Sequence, residues 1–516
     1  MKHIGRRVAI YFVFLCLFAL CTPTTVWGQE AETQAINICS RNVITASNGF
    51  DQTHRLYDGN ETYGISAYLY EGETAWIQLD YSEGMGSLYL ILHTRNPYTI
   101  TDNATGVSVT AGENGYYHQF VDLVTRFGYA PTSLTLDFGT NPITINELYA
   151  FTEGEVPSFV QRWNPPVEGK TDLLLFSAHG DDEQLFFTGV LPYYAKELGY
   201  QVQVVYMTSH QNTEPYRVHE MLNGLWSVGV ETYPVFAEFY DFSEYVFNGK
   251  YELDYVYGWY SRIGQPREMI LEFAVEQIRR FKPQVIVTHD FAGEYGHPQH
   301  IICADVVAQA LEDSNKQSLF PQSAEAYGIW DTPKAYFHLY EENQIVMDWD
   351  QPLESFDGMT AFQVSQKLGF PCHASQVAYF SWYHLNRASA AACPYYSPCY
   401  YGLYRSTVGP DVAKNDFFEN LISYAQQEKL AEEARIEEER LAAERAEQER
   451  LAAEESARKE EAERAEALRR EEEAARLAEQ ARQQKQKTVL ITAGAILFAV
   501  AAGSILLIWV IKKRRG

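Results

Sequence analysis

Two patterns of hydrophobic and polar positions divide the chain between about residues 40 and 415. From about residue 40 to 155, short runs such as TAWIQLDY and SLTLDFG alternate apolar and polar residues, with turn-rich pieces such as DGNET and AGENG between them. Alternation with a period of two marks half-buried strands, and closely spaced turns are typical of a β-sandwich. We therefore predict an all-β jelly-roll sandwich over residues 40–155.

The pattern changes after residues 156–169, a segment with several prolines that we interpret as a linker. The strand-like runs TDLLLFSAH, YQVQVVYMTS and PQVIVTHD carry long stretches of apolar residues, and they are separated by segments with helical periodicity such as MILEFAVEQIRRF. Continuous apolar strands that alternate with helices are typical of a parallel sheet covered on both faces. This pattern predicts an α/β domain over residues 170–415.

Residues 426–487 are composed mainly of Ala, Glu, Arg and Leu. Pairs such as Glu455/Lys459 and Glu466/Arg470 have the i,i+4 spacing that stabilises a solvated helix. Because the leucines do not follow heptad spacing, a single helix and a coiled coil both remain open. In either form the segment is predicted to be a stalk.

Two apolar segments indicate a membrane protein. Residues 488–511 contain no charge and would form a helix about 36 Å long, enough to cross a bilayer, and the basic tail 512–516 is expected in the cytosol. Residues 1–28 combine basic residues, an apolar run and a small-residue exit, which is the pattern of a signal peptide; an uncleaved anchor helix is the alternative. We predict a single-pass protein of the cell membrane with most of the chain extracellular.

Charge and cysteine content exclude several classes of function. The 516 residues carry a formal net charge of −27, so an extended contact with nucleic acid is not expected. No CxxC pair is present, which argues against a structural zinc ribbon. Cys393 and Cys399 bracket a short loop and could form a disulfide or remain free thiols.

Residues with catalytic potential follow two of the predicted parallel strands. SAHGDDE places His179, Asp181 and Asp182 after one strand, and THDFAGEYGHPQH places His300 after another. Ligands gather at the carboxyl ends of such strands, and His179, Asp182 and His300 would supply three ligands for a catalytic zinc. Asp181 would then be free to act as a general base. The alternative is that the aspartates cap a helix and the histidines have no special role.

At these residues the chain resembles the PIG-L (LmbE-like) N-acetylglucosaminyl deacetylase family, which carries AHPDDE after its first strand and a later GHPDH element. The resemblance implies a Rossmann-like three-layer domain with a catalytic zinc, although another divalent metal could serve. It implies that His297 stabilises the oxyanion and protonates the departing amine, and that Tyr295 lies near that oxyanion. It also implies substrate contacts for Arg217 and, through the element KLGFPCHASQ, for His373.

Two positions depart from the family pattern. Gly180 replaces the proline of the first motif, and Gln299 replaces the aspartate of the second. An amide at position 299 cannot favour a charged His297 as a carboxylate would. The ligand positions and Asp181 match the family.

The N-terminal region has a second resemblance, to discoidin-like and galactose-binding-like domains. It rests on Asp58 and Gly59 and on the closing strand within ITINELYAFTEGE. Such a domain could bind carbohydrate or only stabilise its neighbour.

Together these features predict an extracellular, membrane-anchored zinc hydrolase that deacetylates N-acetylglucosamine-type sugars, with a glycan as the expected substrate. The expected partners are a carbohydrate substrate and the membrane. The alternatives are a glycan-binding surface protein with an inactive hydrolase domain, or a metal hydrolase of another amide or ester.

Overall fold

The computed structural model describes residues 33–47, 50, 52–67, 69, 72–208, 210, 214–242, 253–380, 383 and 386–516. The predicted signal peptide, residues 1–28, lies outside the described residues. The chain divides into a large unit that ends at Gln427 and a second unit that begins at Glu428.

The N-terminal part of the large unit is all-β, as predicted. Its strands are β1 Ile44–Ala46, β2 Ile65–Ser66, β3 Ala75–Asp80, β4 Ser87–Leu92, β5 Tyr98–Asp102, β6 Ser108–Ala111, β7 His118–Asp122, β8 Ser133–Gly139 and β9 Thr144–Phe151. They form two antiparallel sheets, of order β1-β3-β8-β5-β6 and β2-β9-β4-β7. Alternate residues of β3 (Ala75, Ile77 and Leu79) are buried in the core that the sheets share, which is why the sequence alternates there.

The central part is α/β, which confirms the second prediction from patterning. Its strands are β10 Leu173–Ser177, β11 Val202–Tyr206, β12 Val235–Phe236, β13 Val285–Thr288, β14 Lys334–His338, β15 Gln344–Val346 and β16 Tyr400–Ser406. The sheet order is β12-β11-β10-β13-β14-β16-β15. The first five strands in this order, β12, β11, β10, β13 and β14, are parallel to one another. Strand β16 pairs antiparallel with both of its neighbours.

Helices cover both faces of this sheet. The α-helices that lie wholly within the described part of the large unit are α1 Leu123–Phe127, in the β region, and then α2 Asp182–Leu185, α3 Tyr216–Ser227, α4 Leu253–Arg262, α5 Arg267–Phe281, α6 Pro298–Asp313, α7 Pro321–Tyr327, α8 Ala361–Val364 and α9 Val377–Phe380. Leu173 and Leu175 of β10 pack in one core with α3, whereas Leu174 and Phe176 pack in the other with α5 and α6. The strand is apolar throughout because both of its faces are buried.

The β region and the α/β region contact each other within the large unit. The ring of Tyr116 stacks on that of Tyr233 with centroids 3.8 Å apart. Val160 and Gln161, in the segment predicted as a linker, are buried. Gln161 also donates to Asn223 of α3 over 2.6 Å. Residues 156–169 therefore pack against the α/β region as well as connecting to it.

The second unit consists of most of one long helix, α10, which spans Tyr424–Lys513. Its charged part carries ion pairs with i,i+4 spacing, among them Lys459–Glu455 at 2.8 Å and Arg470–Glu466 at 2.7 Å. Its C-terminal part contains a window with a mean hydropathy of 2.5, and it is the one helix among the described residues that is long and apolar enough to cross a membrane.

The five described cysteines are free thiols. Cys393 and Cys399 both lie in the core on the α3 side of the sheet, where burial raises the pKa of each thiol. Of the two alternatives from the sequence, the structure contains the free thiols and not the disulfide.

Candidate active site

The two polar motifs meet because their strands are neighbours. β10 ends at Ser177 and β13 ends at Thr288, and the two strands run parallel with Leu173 opposite Val285. His179 and Asp182 follow the first strand, whereas His300 lies in the first turn of α6, after the second. Parallel strands that end together bring these residues to one edge of the sheet.

The three predicted metal ligands lie within contact distance of one another. His179 Nδ1 is 3.2 Å from Asp182 Oδ2 and 3.2 Å from His300 Nε2, and His300 Nε2 is 3.3 Å from Asp182 Oδ1. All three side chains are buried. Ligand atoms about 2.0–2.1 Å from a tetrahedral zinc lie roughly 3.3–3.4 Å apart, so these separations fit a zinc site.

Carboxylates behind the histidines orient both rings. His300 Nδ1 lies 2.7 Å from Glu294 Oε2, and His179 Nε2 lies 3.2 Å from Asp241 Oδ1. If each of these nitrogens donates its proton to the carboxylate, the other nitrogen presents a lone pair toward Asp182. This arrangement is typical of metal-binding histidines.

The same carboxylates set the proton affinity of the rings. Burial lowers the pKa of His179, but Asp241 and Asp182 together raise it to about 10. Burial likewise lowers the pKa of His300, and Asp182 and Glu294 raise it to about 9. The pocket therefore stabilises positive charge, and a divalent cation would take the place of these protons.

A neighbouring histidine is excluded as a ligand by its hydrogen bonds. His289 lies in a close group with Asp182 and His300. Its Nε2 accepts from the backbone N–H of Ala178 over 2.9 Å, so the proton of a neutral ring is on Nδ1, which lies 2.7 Å from Glu294. His289 has no lone pair left for a metal and instead supports Glu294.

Asp181, the predicted general base, is buried at the start of α2, next to Asp182 in the chain. It precedes α2, but its side chain makes no capping hydrogen bond, so the helix-cap alternative finds no support. Its backbone has a φ of 145°, a conformation that residues other than glycine rarely adopt. Burial raises the pKa of its carboxyl group to about 7, against the lowering effect of Arg217.

The two predicted substrate residues are buried behind Asp181. The guanidinium of Arg217, on α3, donates to the Gly180 carbonyl and has Nη2 3.7 Å from Asp181 Oδ1. His373 Nε2 lies 2.8 Å from Glu183 Oε1, and Glu183 in turn accepts from the backbone N–H of Asp181 over 2.9 Å. In this arrangement both residues support the Asp181 turn.

His297 and Tyr295 lie beside the ligand group. His297 is the N-cap of α6, and its Nδ1 accepts from the Gln299 N–H over 3.2 Å, which leaves Nε2 as the donor of a neutral ring. Burial, with His179 and His300, holds the pKa of His297 well below its usual value. The Tyr295 ring is 5.5 Å from that of His297.

Gln299, which departs from the family pattern, is held away from the chemistry. Its Oε1 accepts from the Tyr260 hydroxyl over 2.6 Å, and its Nε2 donates to the Tyr240 carbonyl over 3.3 Å. The side chain therefore orders a loop beside α4, and the pKa of His297 is set by burial and by its histidine neighbours.

Three residues that the sequence did not indicate contact the predicted ligands or their hydrogen-bond partners: Asp241, Glu294 and His338. Glu294 lies inside the quoted motif, between Gly293 and Tyr295, and its Oε1 is 2.6 Å from His338 Nδ1. His338 is the last residue of β14, so the strand-end rule would have found it. Asp241 lies in a loop without any motif.

Comparison with known protein families identifies the part of the chain that contains this site. Residues 174–311 match the family model described as "PIG-L: GlcNAc-PI de-N-acetylase". This segment is a PIG-L family domain. The match includes the three predicted ligand positions, Asp181 and Arg217, whereas His373 lies outside it.

Named relatives of the PIG-L domain are sugar deacetylases. A 1D-myo-inositol 2-acetamido-2-deoxy-alpha-D-glucopyranoside deacetylase 1 of Frankia alni is 40% identical over 65 residues, 13% of this chain and 22% of its own. A deacetylase of the same description from Rhodococcus erythropolis is 27% identical over 33% of this chain and 62% of its own. Matches to the first three curated relatives span only about a fifth to a quarter of their length.

A search of solved structures found, among others, the N,N'-diacetylchitobiose deacetylase from Pyrococcus horikoshii. It is 12% identical to this chain, with a TM-score of 0.28, and the match covers 45% of this chain and 83% of the other.

Proposed function

We propose that this protein is a membrane-anchored, zinc-dependent hydrolase that removes the acetyl group from N-acetylglucosamine-type sugars outside the cell. The observation that carries the proposal is the close group of His179, Asp182 and His300, with the uncapped carboxylate of Asp181 beside it. The relatives are named as deacetylases of a 2-acetamido-2-deoxy-glucopyranoside, which suggests an acetylated amino sugar as the substrate class.

His179, Asp182 and His300 would hold the metal. Zinc at such a site acts as a Lewis acid and makes water more acidic. The two nitrogen donors and one carboxylate suit zinc, and their carboxylate partners Asp241 and Glu294 fix the ring orientations.

Asp181 takes the proton of the attacking water as its oxygen adds to the acetyl carbonyl carbon. Burial raises the pKa of this carboxyl group, which makes it a better proton acceptor than an exposed carboxylate. Arg217 and Glu183 keep the carboxylate in place through the Gly180 carbonyl and the Asp181 N–H.

His297 donates a hydrogen bond from Nε2 to the oxygen that gains negative charge. Because its pKa is lowered, the ring is neutral at pH 7 and a poor source of a proton. We therefore assign protonation of the departing nitrogen to Asp181. Cleavage of the C–N bond then yields acetate and a free amino sugar, with the water proton carried to the amine.

The apolar part of α10 supports the membrane placement. It would anchor the protein, with residues 29–425 outside the cell and the basic cluster 512–515 inside. Protease added to intact cells, with any outer barrier made permeable, should digest the body of the protein. Full protection of the body would contradict this orientation.

Acetate release by the full chain in detergent tests the activity. N-acetylglucosamine oligosaccharides should release acetate, a chelator should abolish the release, and added zinc should restore it. Asp305→Asn, a control for changes at the proposed ligands, should release acetate as the wild type does, because Asp305 lies on the same helix as His300 but pairs with Arg267. Release only from O-acetyl esters would favour another hydrolase, and glycan binding without any release would favour a binding protein.

A further inference from the structure

A cavity of about 400 Å³ lies where the β region meets α3. One wall is the loop from Gly59 to Thr62, and Gly59 is one of the residues of the discoidin-like resemblance. The other wall includes Tyr216, His219, Glu220 and Asn223, whose spacing places them on one face of α3. We call this space the junction cavity, and its volume is in the range of small-molecule sites.

The junction cavity lies on a different side of α3 from the candidate active site. Arg217 and Met221 of the same helix face the turn at Gly180 and Asp181: Arg217 donates to the Gly180 carbonyl, and a Cβ at Gly180 would lie 2.0 Å from the Met221 side chain. A ligand in the junction cavity would therefore be separate from the reacting group.

The walls are joined by side chains whose remaining polar groups could bind a ligand. Asn223 Nδ2 donates to Glu61 Oε2 over 2.7 Å, which links α3 to the β loop. Glu220 accepts from the backbone N–H and hydroxyl of Ser375 over 2.8 and 2.7 Å. These contacts fix the walls across three segments of the chain.

His219 has an unused hydrogen-bonding nitrogen at this place. Tyr89 Oη lies 2.7 Å from His118 Nδ1, and His118 Nε2 lies 2.9 Å from His219 Nδ1. In either direction of this relay, Nε2 of His219 is left over, and it has no hydrogen-bond partner among the described residues. His219 is 3% exposed and lines the cavity, but its Nε2 is itself buried, so a hydroxyl or amino group in the cavity would reach this nitrogen after a shift of the ring or its neighbours.

The charge of the walls selects among polar ligands. Glu61 and Glu220 contribute carboxylates, and none of the described residues that line the cavity is a lysine or arginine. Burial raises the pKa of Glu61, opposed by its hydrogen bond from Asn223, so a cation bound beside it would stabilise its charged form. A cavity with carboxylates and other hydrogen-bonding side chains suits a cationic sugar better than a neutral or anionic one.

We propose that the junction cavity is a second sugar-binding site, which takes a glucosamine-type unit with a free amino group. The ammonium group would lie against Glu61 and Glu220. The hydroxyl groups would form hydrogen bonds with the side chains of His219, Asn60 and Asn223. The choice of sugar rests on the proposed function, because a free amino sugar is the product of that reaction. The β region would then hold glycan that has already been deacetylated.

Binding of a fully deacetylated glucosamine tetramer to the full chain in detergent tests this site by calorimetry. Glu61→Gln should weaken binding roughly tenfold, because a hydrogen bond to a charged group contributes about 1.5 kcal/mol or more. Glu61→Asp, which keeps the charge, should recover part of the affinity, and Glu113→Gln, an exposed change in the same region, should have no effect. Added salt should weaken binding by the wild type.

Asp182→Ala separates this site from the active site. Tetramer affinity that is unchanged in Asp182→Ala and lowered in Glu61→Gln supports the proposal, even if the chain releases no acetate. Affinity lost in Asp182→Ala and unchanged in Glu61→Gln would assign the sugar to the active site and overturn it. Absence of binding, or equal affinity for the N-acetylated tetramer, would overturn it as well.

Discussion

Two groups of buried histidines in this molecule have opposite electrostatic surroundings. The strand-end pair, His179 and His300, faces carboxylates that raise the pKa of both rings despite burial. The junction pair, His118 and His219, has no such carboxylate contact among the described residues; burial holds the pKa of His118 well below its usual value and lowers that of His219 to about 3. The first pair is therefore suited to bind a cation, whereas the second is suited to remain neutral.

The comparison shows that burial alone does not indicate what a histidine does. Each histidine of the junction pair bonds to the other, and each of the strand-end pair has its own carboxylate partner. The identity of the second partner decides whether a buried ring favours the charged or the neutral form. Substitutions in both groups test this difference.

Asp182→Ala should have the largest effect. It removes the carboxylate shared by both strand-end histidines, so the purified chain should lose its equivalent of zinc and all measurable acetate release. His219→Asn should retain the zinc, because the junction pair does not contact the ligands. Elemental analysis of both variants measures this, and stoichiometric zinc in Asp182→Ala would refute the ligand assignment.

Asp181→Asn should lower kcat by roughly 10²–10⁴, the range of general acid–base catalysis, with the metal still bound. The amide keeps the shape of the side chain but cannot accept the proton of water. Steady-state acetate release, together with the zinc content, measures the effect. Near-native turnover with zinc bound would mean that the base is another group.

Glu294→Gln should weaken zinc affinity about 10- to 100-fold, the usual range for a residue that orients a ligand. The amide is a weaker acceptor for His300 Nδ1–H and disturbs the contacts with His289 and His338. Competition with a chelator measures the affinity. An equal loss in His118→Asn, chosen as the control, would show that general destabilisation is responsible.

His219→Asn should have the smallest effect, on the pH dependence of stability. In the wild type, His219 of the unfolded chain binds a proton as the pH falls below 6.5, whereas His219 of the folded chain stays neutral down to about pH 3. The free energy of unfolding therefore decreases as the pH falls. At pH 5.5 this loss is about 1.4 kcal/mol relative to pH 7.5, and the variant should not show it.

Urea unfolding of the full chain in detergent at both pH values measures this difference. His54→Asn, which changes an exposed histidine of the β region, should follow the wild type. Identical pH dependence in His219→Asn and the wild type would contradict a neutral His219.

The sequence predicted the apolar strands, and it predicted that His179, Asp182 and His300 come together, because both follow from local pattern. Continuous apolar runs marked β10 and β13 as buried on both faces, and the strand-end rule then brought His179 and His300 together. The same rule, applied to β14, would have selected His338. Asp241 could not have been found, since it reaches His179 through a loop that carries no pattern.

The roles of Arg217 and His373 show another limit of the sequence. Helical spacing does not tell which face of α3 turns toward the sheet, so a substrate-facing arginine and a buried one look alike. Similarly, the linker prediction for residues 156–169 followed from proline content, whereas their packing on α3 depends on tertiary contacts such as Gln161–Asn223.

The backbone of Asp181 has a consequence for how this chain could change over time. At a φ of 145°, glycine has less backbone strain than aspartate, so a glycine at position 181 would make the folded chain more stable. A screen that rewards only thermal resistance would be expected to select glycine at position 181 and would discard the proposed base with it. Stability therefore favours glycine at position 181, whereas the proposed catalytic role requires aspartate.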